Sequence, residues 1–408
     1  MGDLLKLLAI LGLTVFLLMR KWDLGIVLFL NSALIALLFG YSLAGWAASI
    51  LRGLVAPDTI SLAGAVFSVL LLAELMRRTH ALEEMVTSLQ VLVPDGRISV
   101  ALMPLMIGLM PMLGGAMFSA PMVNEVGTPL KMSADRKTFV NYWFRHALEY
   151  IFPLYSSLLM MSALLEVSVY DFIGASWPLT FVALISGVMW GLVGIKSGDS
   201  DYGALKVDDL STRAAWSRFL KSTWPLLLVI LAVVILRFNM ILSLIGVIVL
   251  FVIVRRVGPD QWRDVLKSSF PIHTFSAIFG VMIFKQIMQD AGAVSQIPQA
   301  LSALGLPPMV IAFSVPMVVG LLTGTAAAAL ALSVPMVAPV LQGGELSGLS
   351  AGVWLFVGSF SGVLLSPLHL CLALTKDYFG AAWGDLYKRI VPSVGLVVAA
   401  AVVLVLLR

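Results

Sequence analysis

The sequence predicts an all-α polytopic membrane protein built from two inverted repeats, each of five transmembrane helices plus one re-entrant hairpin. Three observations carry that prediction. The 408-residue chain is 60% hydrophobic and 12% charged, with a mean hydropathy of +1.02; a soluble domain carries roughly twice that charged fraction. Apolar runs long enough to span a bilayer recur along its whole length. Finally, prolines of the first half recur 214 residues later: Pro57 with Pro271, Pro94 with Pro308, Pro121 with Pro335, Pro153 with Pro367 and Pro178 with Pro392. With 19 prolines in the chain, one fixed offset aligns about half a pair by chance. Neighbouring residues travel with them, Ser119-Ala120-Pro121-Met122-Val123 over Ser333-Val334-Pro335-Met336-Val337 and Asp171 over Asp385.

The spans fall at residues 3–19, 24–40, 60–76, 138–164 and 177–195 in the first repeat (1–195), and at 222–236, 239–255, 272–289, 350–375 and 391–407 in the second (222–408). The first run ends at Arg20-Lys21-Trp22-Asp23 with no small-residue cleavage site, so it is expected to stay as a span rather than be removed as a signal peptide. Two further apolar stretches, 99–123 and 308–340, are interrupted by Pro104, Pro111, Gly114 and Gly115 and by Pro316, Gly320, Thr323, Gly324 and Thr325. These are expected to be re-entrant hairpins, since non-helical backbone at membrane depth survives only where protein buries it or a wet cavity lines it. Residues 196–221, with Asp199, Asp201, Asp208 and Asp209, form a polar linker between the repeats. Residues 80–95 and 259–269 are too polar to span and are expected as short interfacial helices.

Charge tests the count. If neither hairpin crosses, most of the 26 basic residues fall on one face, among them Arg20, Arg77, Arg136, Arg218, Arg255 and Lys376. Lys6, Arg52, Arg237 and Arg408 fall on the other. The basic face is then cytoplasmic, in the cell's inner membrane, with both termini outside. Five crossings per repeat is an odd number, so the repeats must be inverted relative to each other, with the first hairpin entering from the cytoplasm and the second from outside. The net charge of +4 is spread over short loops and does not indicate nucleic acid. Cys371, the single cysteine, excludes an internal disulfide.

In inverted-repeat carriers the substrate sits where broken helices of both repeats meet near the midplane. Small residues let backbone approach a ligand closely, and freed N–H groups at helix starts favour an anion. Gly114, Gly115 and Ser119 are therefore substrate-binding candidates from one hairpin, and Thr323, Gly324, Thr325 and Ser333 from the other; the competing reading is tight helix packing. Pro153 and Pro367 interrupt the spans that follow, freeing carbonyls able to hold Na⁺, and place Tyr155 and His369 two residues beyond each break. Arg145 and Glu149, with His146, lie inside the fourth span, where a charge is costly and is by default a functional candidate. Four apart on one helix face they can pair; either they form a structural ion pair, or Glu149 handles a coupling ion and Arg145 attracts an anion. Lys285, nearer a helix end, is expected to snorkel.

Other chemistry is excluded. There is no Walker phosphate loop. His80, His146, His273 and His369 show no metal-ligand spacing along the chain. Gly348-Leu349-Ser350-Ala351-Gly352 fits the nucleophile pattern G-x-S-x-G, but it opens a membrane span rather than a strand-to-helix turn. The chain is expected to be no enzyme, with no catalytic residues, no metal site and no cofactor apart from a coupling Na⁺ or H⁺.

Five spans and a hairpin, inverted and repeated, resemble the ion-transporter superfamily of gluconate-type permeases, divalent-anion/sodium symporters and arsenite-type carriers. The resemblance is also carried by Leu113-Gly114-Gly115-Ala116-Met117-Phe118-Ser119-Ala120-Pro121-Met122 and the Gly-Thr-rich second hairpin. It implies a scaffold from the first two spans of each repeat, a mobile unit from the hairpins and broken spans, and a homodimer. The Ser-Asn-Thr triplet of the dicarboxylate symporters is absent; Gly114-Gly115-Ala116 and Thr323-Gly324-Thr325 stand in its place. The expected function is secondary transport of a small anion coupled to Na⁺ or H⁺ by an elevator-like hairpin unit. The alternative is a non-transporting membrane assembly or receptor subunit on the same fold.

Overall fold

The computed structural model describes residues 2–110, 115–195, 210–293, 305–341 and 348–407, and among them there are helices and no strand. Gly114, Pro111 and the linker residues Asp199, Asp201, Asp208 and Asp209 lie outside the described residues. The first half forms α1 (Gly2–Met19), α2 (Leu24–Leu38), α3 (Leu43–Val55), α4 (Pro57–Arg78), α5 (Ala81–Leu92), α6 (Gly96–Gly108), α7 (Gly115–Gly127), α8 (Ala134–His146), α9 (Ser156–Leu165) and α10 (Val169–Gly187). The second forms α11 (Thr212–Ile230), α12 (Met240–Arg255), α13 (Pro259–Ser268), α14 (Ile272–Asp290), α15 (Pro308–Thr323), α16 (Ala326–Val337), α17 (Gly348–Leu365), α18 (Leu370–Phe379) and α19 (Trp383–Leu406). Five stretches are long and apolar enough to cross a membrane: Pro57–Arg78, Val169–Leu192, Thr212–Ile235, Gly348–Phe379 and Trp383–Leu406. The pair Gln261–Ser268 and Ile272–Asp290, bent by 44°, makes a sixth if it is one span. This is the architecture of a helical membrane protein, with shorter apolar helices such as α2, α9 and α12 completing it.

The helix boundaries repeat as the prolines do. α8 and α17 start 214 residues apart, at Ala134 and Gly348; α9 and α18 both start and end at that offset; α10 and α19 start at it too. Three boundaries differ from the sequence expectation, each for a physical reason. The fourth and ninth spans are interrupted, at 147–155 and 366–369, because Pro153 and Pro367 cannot supply the N–H that would continue the helix. α10 and α19 start eight residues before the spans expected at 177 and 391, carrying Pro178 and Pro392 inside them. Asp171 and Asp385 occupy their first turns, where the helix dipole favours an acid. α11 begins at Thr212, capped by Ser211, so part of the expected linker is helical. The interfacial helices expected at 80–95 and 259–269 are α5 and α13; α3, the counterpart of α13, was not anticipated.

The two hairpin stretches each contain a pair of helices, α6 with α7 and α15 with α16, packed on each other. The halves then interlock. α14 packs on α2 and α3, while α4 packs on α12 and α13. At the α2–α14 crossing no side chain separates the backbones: a Cβ on Gly280 would meet the main chain of Gly25, and one on Gly25 would meet Ser276. α9 packs on α16, and its counterpart α18 packs on α7, so each half lays its post-break helix on the other half's hairpin.

Polar links fasten this exchange. Asp23 caps α2 by accepting from the Gly25 and Ile26 N–H groups, and also accepts from Ser276 and contacts His273 across the halves. Arg255 grips Glu84 through both Nη atoms, Arg389 donates to Asp135, and Arg52 to Asp290. Lys285 does not snorkel. It is 9% exposed, and its Nζ donates to the Ala163 carbonyl at 3.2 Å and to Glu166 at 2.9 Å, closing the end of α9.

Candidate functional site

The two breaks meet. α8 runs 13 residues, about 20 Å at the helical rise, and delivers Arg145 and His146 at its inner end. Because the helix stops there, Glu149 lies in the break itself and not one turn further along the same face. Ser157, in the first turn of α9, donates to Glu149 at 3.4 Å, and Arg145 and His369 are its charged or chargeable neighbours. Arg145, His146 and Glu149 are all buried, at 7%, 6% and 9% exposure. Charges so placed cost several kcal/mol each unless neighbours and hydrogen bonds compensate, which makes their clustering a requirement of the fold as well as a resource.

Backbone and side chain lock the breaks together. Tyr155 donates its hydroxyl to the carbonyls of Gly108 and Arg145, the latter at 3.0 Å. Its counterpart His369 plays the same part in the second half, with Nδ1 2.7 Å from the carbonyl of Gly324. The close approach behind each bond requires glycine: a Cβ on Gly108 would enter the Arg145 carbonyl, and one on Gly324, which has φ of +66°, would meet the His369 backbone. Carbonyls around the breaks accept hydroxyls, Tyr150 from Ser176, Leu364 from Tyr142 and Leu365 from Tyr387. Asn141 joins α8 to the Ala116 carbonyl and to Thr375 of α18.

These groups face a cavity of about 470 Å³. One wall is α4 from Val66 to Arg77; the inner end is formed by Arg145, His146, Glu149, Tyr155, His369 and Cys371. Arg77, half exposed, marks the outer end. Four sequence candidates therefore share one chamber: Arg145, Glu149, Tyr155 and His369. The hairpin candidates stand around it without lining it. Gly115 starts α7, and the Arg145 guanidinium fills the space its Cβ would take. Gly324 touches the chamber only through His369. Ser119 is buried and donates to the Gly115 and Ala116 carbonyls, both at 3.3 Å. Its counterpart Ser333 is buried with no hydrogen-bond partner for its hydroxyl. Thr323 donates to the Val319 carbonyl, and the exposed Thr325 caps α16.

The sequence reading passed over one pairing. His146 and His369 are 223 residues apart in the chain, yet their Nε2 atoms stand 3.2 Å apart. Cys371 joins them, and the three ligand-type atoms all lie within 4.8 Å of one another. No spacing rule along the chain finds this, because the residues come from different halves. The signal available was the repeat itself, which makes the segments after Pro153 and Pro367 equivalent.

Over residues 2–407 the chain matches the family described as "Protein of unknown function (DUF401)", and it belongs to that family. A comparison with curated proteins found no match.

Proposed function

We propose that the protein is a secondary active transporter of a small anion, driven by H⁺ or Na⁺, in which the two halves are inverted repeats and the hairpins with their broken helices alternate access to the central chamber. The observation that carries this reading is the meeting of two equivalent breaks at one chamber holding Arg145, Glu149 and His369. Anion selectivity is supported by the placement of Arg145. Its guanidinium lies against Gly115, the first residue of α7, so a cationic side chain and the positive end of a 13-residue helix point at the same place. Glu149 is the coupling group, since a buried carboxylate can take up a proton or Na⁺ and so offset its own cost of burial. Proline breaks at matched positions supply the non-helical backbone that such sites use. The resemblance to the ion-transporter superfamily supports the same reading. With it come an inner-membrane location, both termini outside, and a homodimer.

The test is uptake into proteoliposomes carrying an imposed proton or sodium gradient, screened over small carboxylates and oxyanions. Substrates are first ranked by their stabilisation of the purified protein, which rises with the logarithm of ligand concentration over Kd. Glu149→Gln should abolish gradient-driven uptake while the folded protein still binds the anion. Unchanged coupled uptake in that variant would sink the assignment. The non-transporting alternative predicts no uptake by the wild type and no gradient dependence.

A further inference from the structure

We infer that His146, His369 and Cys371 form a binding site for one thiophilic metal ion, of the Zn²⁺ or Cu⁺ class, at the junction of the two breaks. The argument starts from the tautomers. His146 Nδ1 lies 2.7 Å from the Tyr142 carbonyl and His369 Nδ1 lies 2.7 Å from the Gly324 carbonyl. A carbonyl only accepts, so each ring carries its hydrogen on Nδ1 and, when neutral, presents a bare lone pair on Nε2. Those lone pairs face each other across 3.2 Å. Two such atoms repel unless a cation sits between them. Nitrogens bound at about 2.0–2.1 Å to one tetrahedral ion stand about 3.3 Å apart, close to the separation seen here.

Cys371 selects among cations. Its sulfur is within 4.8 Å of both ring nitrogens, and it comes from the first turn of α18, next but one to His369. Two imidazoles and a thiolate suit Zn²⁺ or Cu⁺; Na⁺, Mg²⁺ and Ca²⁺ want oxygen. Backbone carbonyls gripping the far nitrogen of each ring are the outer-shell contacts by which proteins orient metal-binding histidines. All three residues line the chamber, so a fourth coordination position opens onto it, as in sites that exchange a ligand. His146 belongs to one half and His369 and Cys371 to the other; the ion ties the halves at the breaks. The site does not depend on the transport reading, and its test needs no transport.

The experiment loads the purified full-length protein with Zn²⁺, or anaerobically with Cu⁺ in competition with a chromogenic chelator, removes loose metal, and measures metal per chain by mass spectrometry. One ion per chain is expected for at least one of the two metals, with affinity falling at least tenfold in His369→Gln and in Cys371→Ser. Loading with Co²⁺ should give a thiolate-to-metal charge-transfer band that Cys371→Ser removes. Should His369→Gln fail to fold, Cys371→Ser, which changes one atom, decides alone. Neither metal binding above the level of Cys371→Ser overturns the proposal, and leaves a proton shared between the two rings as the occupant.

Discussion

Set the break after α8 beside the break after α17, and each position in one has a counterpart 214 residues on in the other. Arg145 corresponds to Ser359, His146 to Phe360, Glu149 to Val363, Tyr155 to His369 and Ser157 to Cys371. The backbone is shared: a helix stops, a proline follows, and a short helix of equal length resumes. The chemistry is not. The first break holds both buried charges, while the second offers two serines, Ser359 and Ser361, whose buried hydroxyls lack a partner, among Phe360 and Val363. Duplication supplies a geometry twice; polarity has been kept on one side of it. The chamber is thereby asymmetric, with charge on the α8 side and the ring and thiol of α18 opposite.

The largest test of this contrast exchanges the character of the breaks. Val363, 2% exposed, sits where the first half has Glu149. Val363→Glu should cost about 3–5 kcal/mol, since the new carboxylate is buried with no partner placed for it, whereas Glu149→Gln should change the melting temperature little. Equal losses in thermal unfolding would show that the breaks are interchangeable. The glycines that bring the hairpins close come next. Gly324→Ala must fit a Cβ against the main chain at φ of +66°, a left-handed conformation that alone costs about 1–2 kcal/mol. Gly115→Ala displaces only the guanidinium of Arg145, so it should lose less stability and more uptake. The reverse ranking in paired melting and uptake assays would break the comparison.

Smaller still is the end of the post-break helices. Glu166 and Gly380 are counterparts, and both close their helix at positive φ, +59° and +67°. Glycine adopts this freely, whereas Glu166 holds it while pairing with Lys285. Its carboxylate is 64% exposed, so the pair contributes under about 1 kcal/mol; Glu166→Gly removes strain of similar size. Melting should shift by only a few degrees, and a large loss would show that the link between halves matters more than the turn. The smallest effect lies at the hairpin entrances. α6 is capped by Asp95 where α15 begins on Pro307 and Pro308. Hydrogen bonds from the Arg97 side chain and N–H hold the Asp95 carboxyl at about 2. A lowered value means its contribution is complete above the usual carboxylate range and disappears as pH falls towards 2. The difference in melting between wild type and Asp95→Asn should follow that course and should not grow on acidification.

Much of the scaffold was legible because proline and glycine act locally. Pro153 and Pro367 announce breaks wherever they stand in an apolar run, and the offset between them announces the repeat. Pro178 and Pro392 misled for the same reason, since they mark helix starts in water but sit inside α10 and α19 here. Arg145 and Glu149 were visible as charges in a span. Their surroundings were not: the stop at His146, the glycine contact at Gly115 and the burial of Lys285 all depend on what packs against them. The histidine pair was invisible because it is a contact between halves, and periodicity reports only on one helix at a time.

The cross-half links also bear on how the protein is made. While the first half is leaving the ribosome, Asp23, Glu84 and Asp135 are already in place, but their partners His273, Arg255 and Arg389 are not yet translated. The same holds for the crossing of Gly25 with Gly280 and for the seat of α9 on α16. A nascent first half is therefore a set of inserted helices with unfilled seams rather than a finished domain, and closure waits until Arg389 enters with α19. Two fragments cut in the linker should be degraded when made singly and rescue each other when made together.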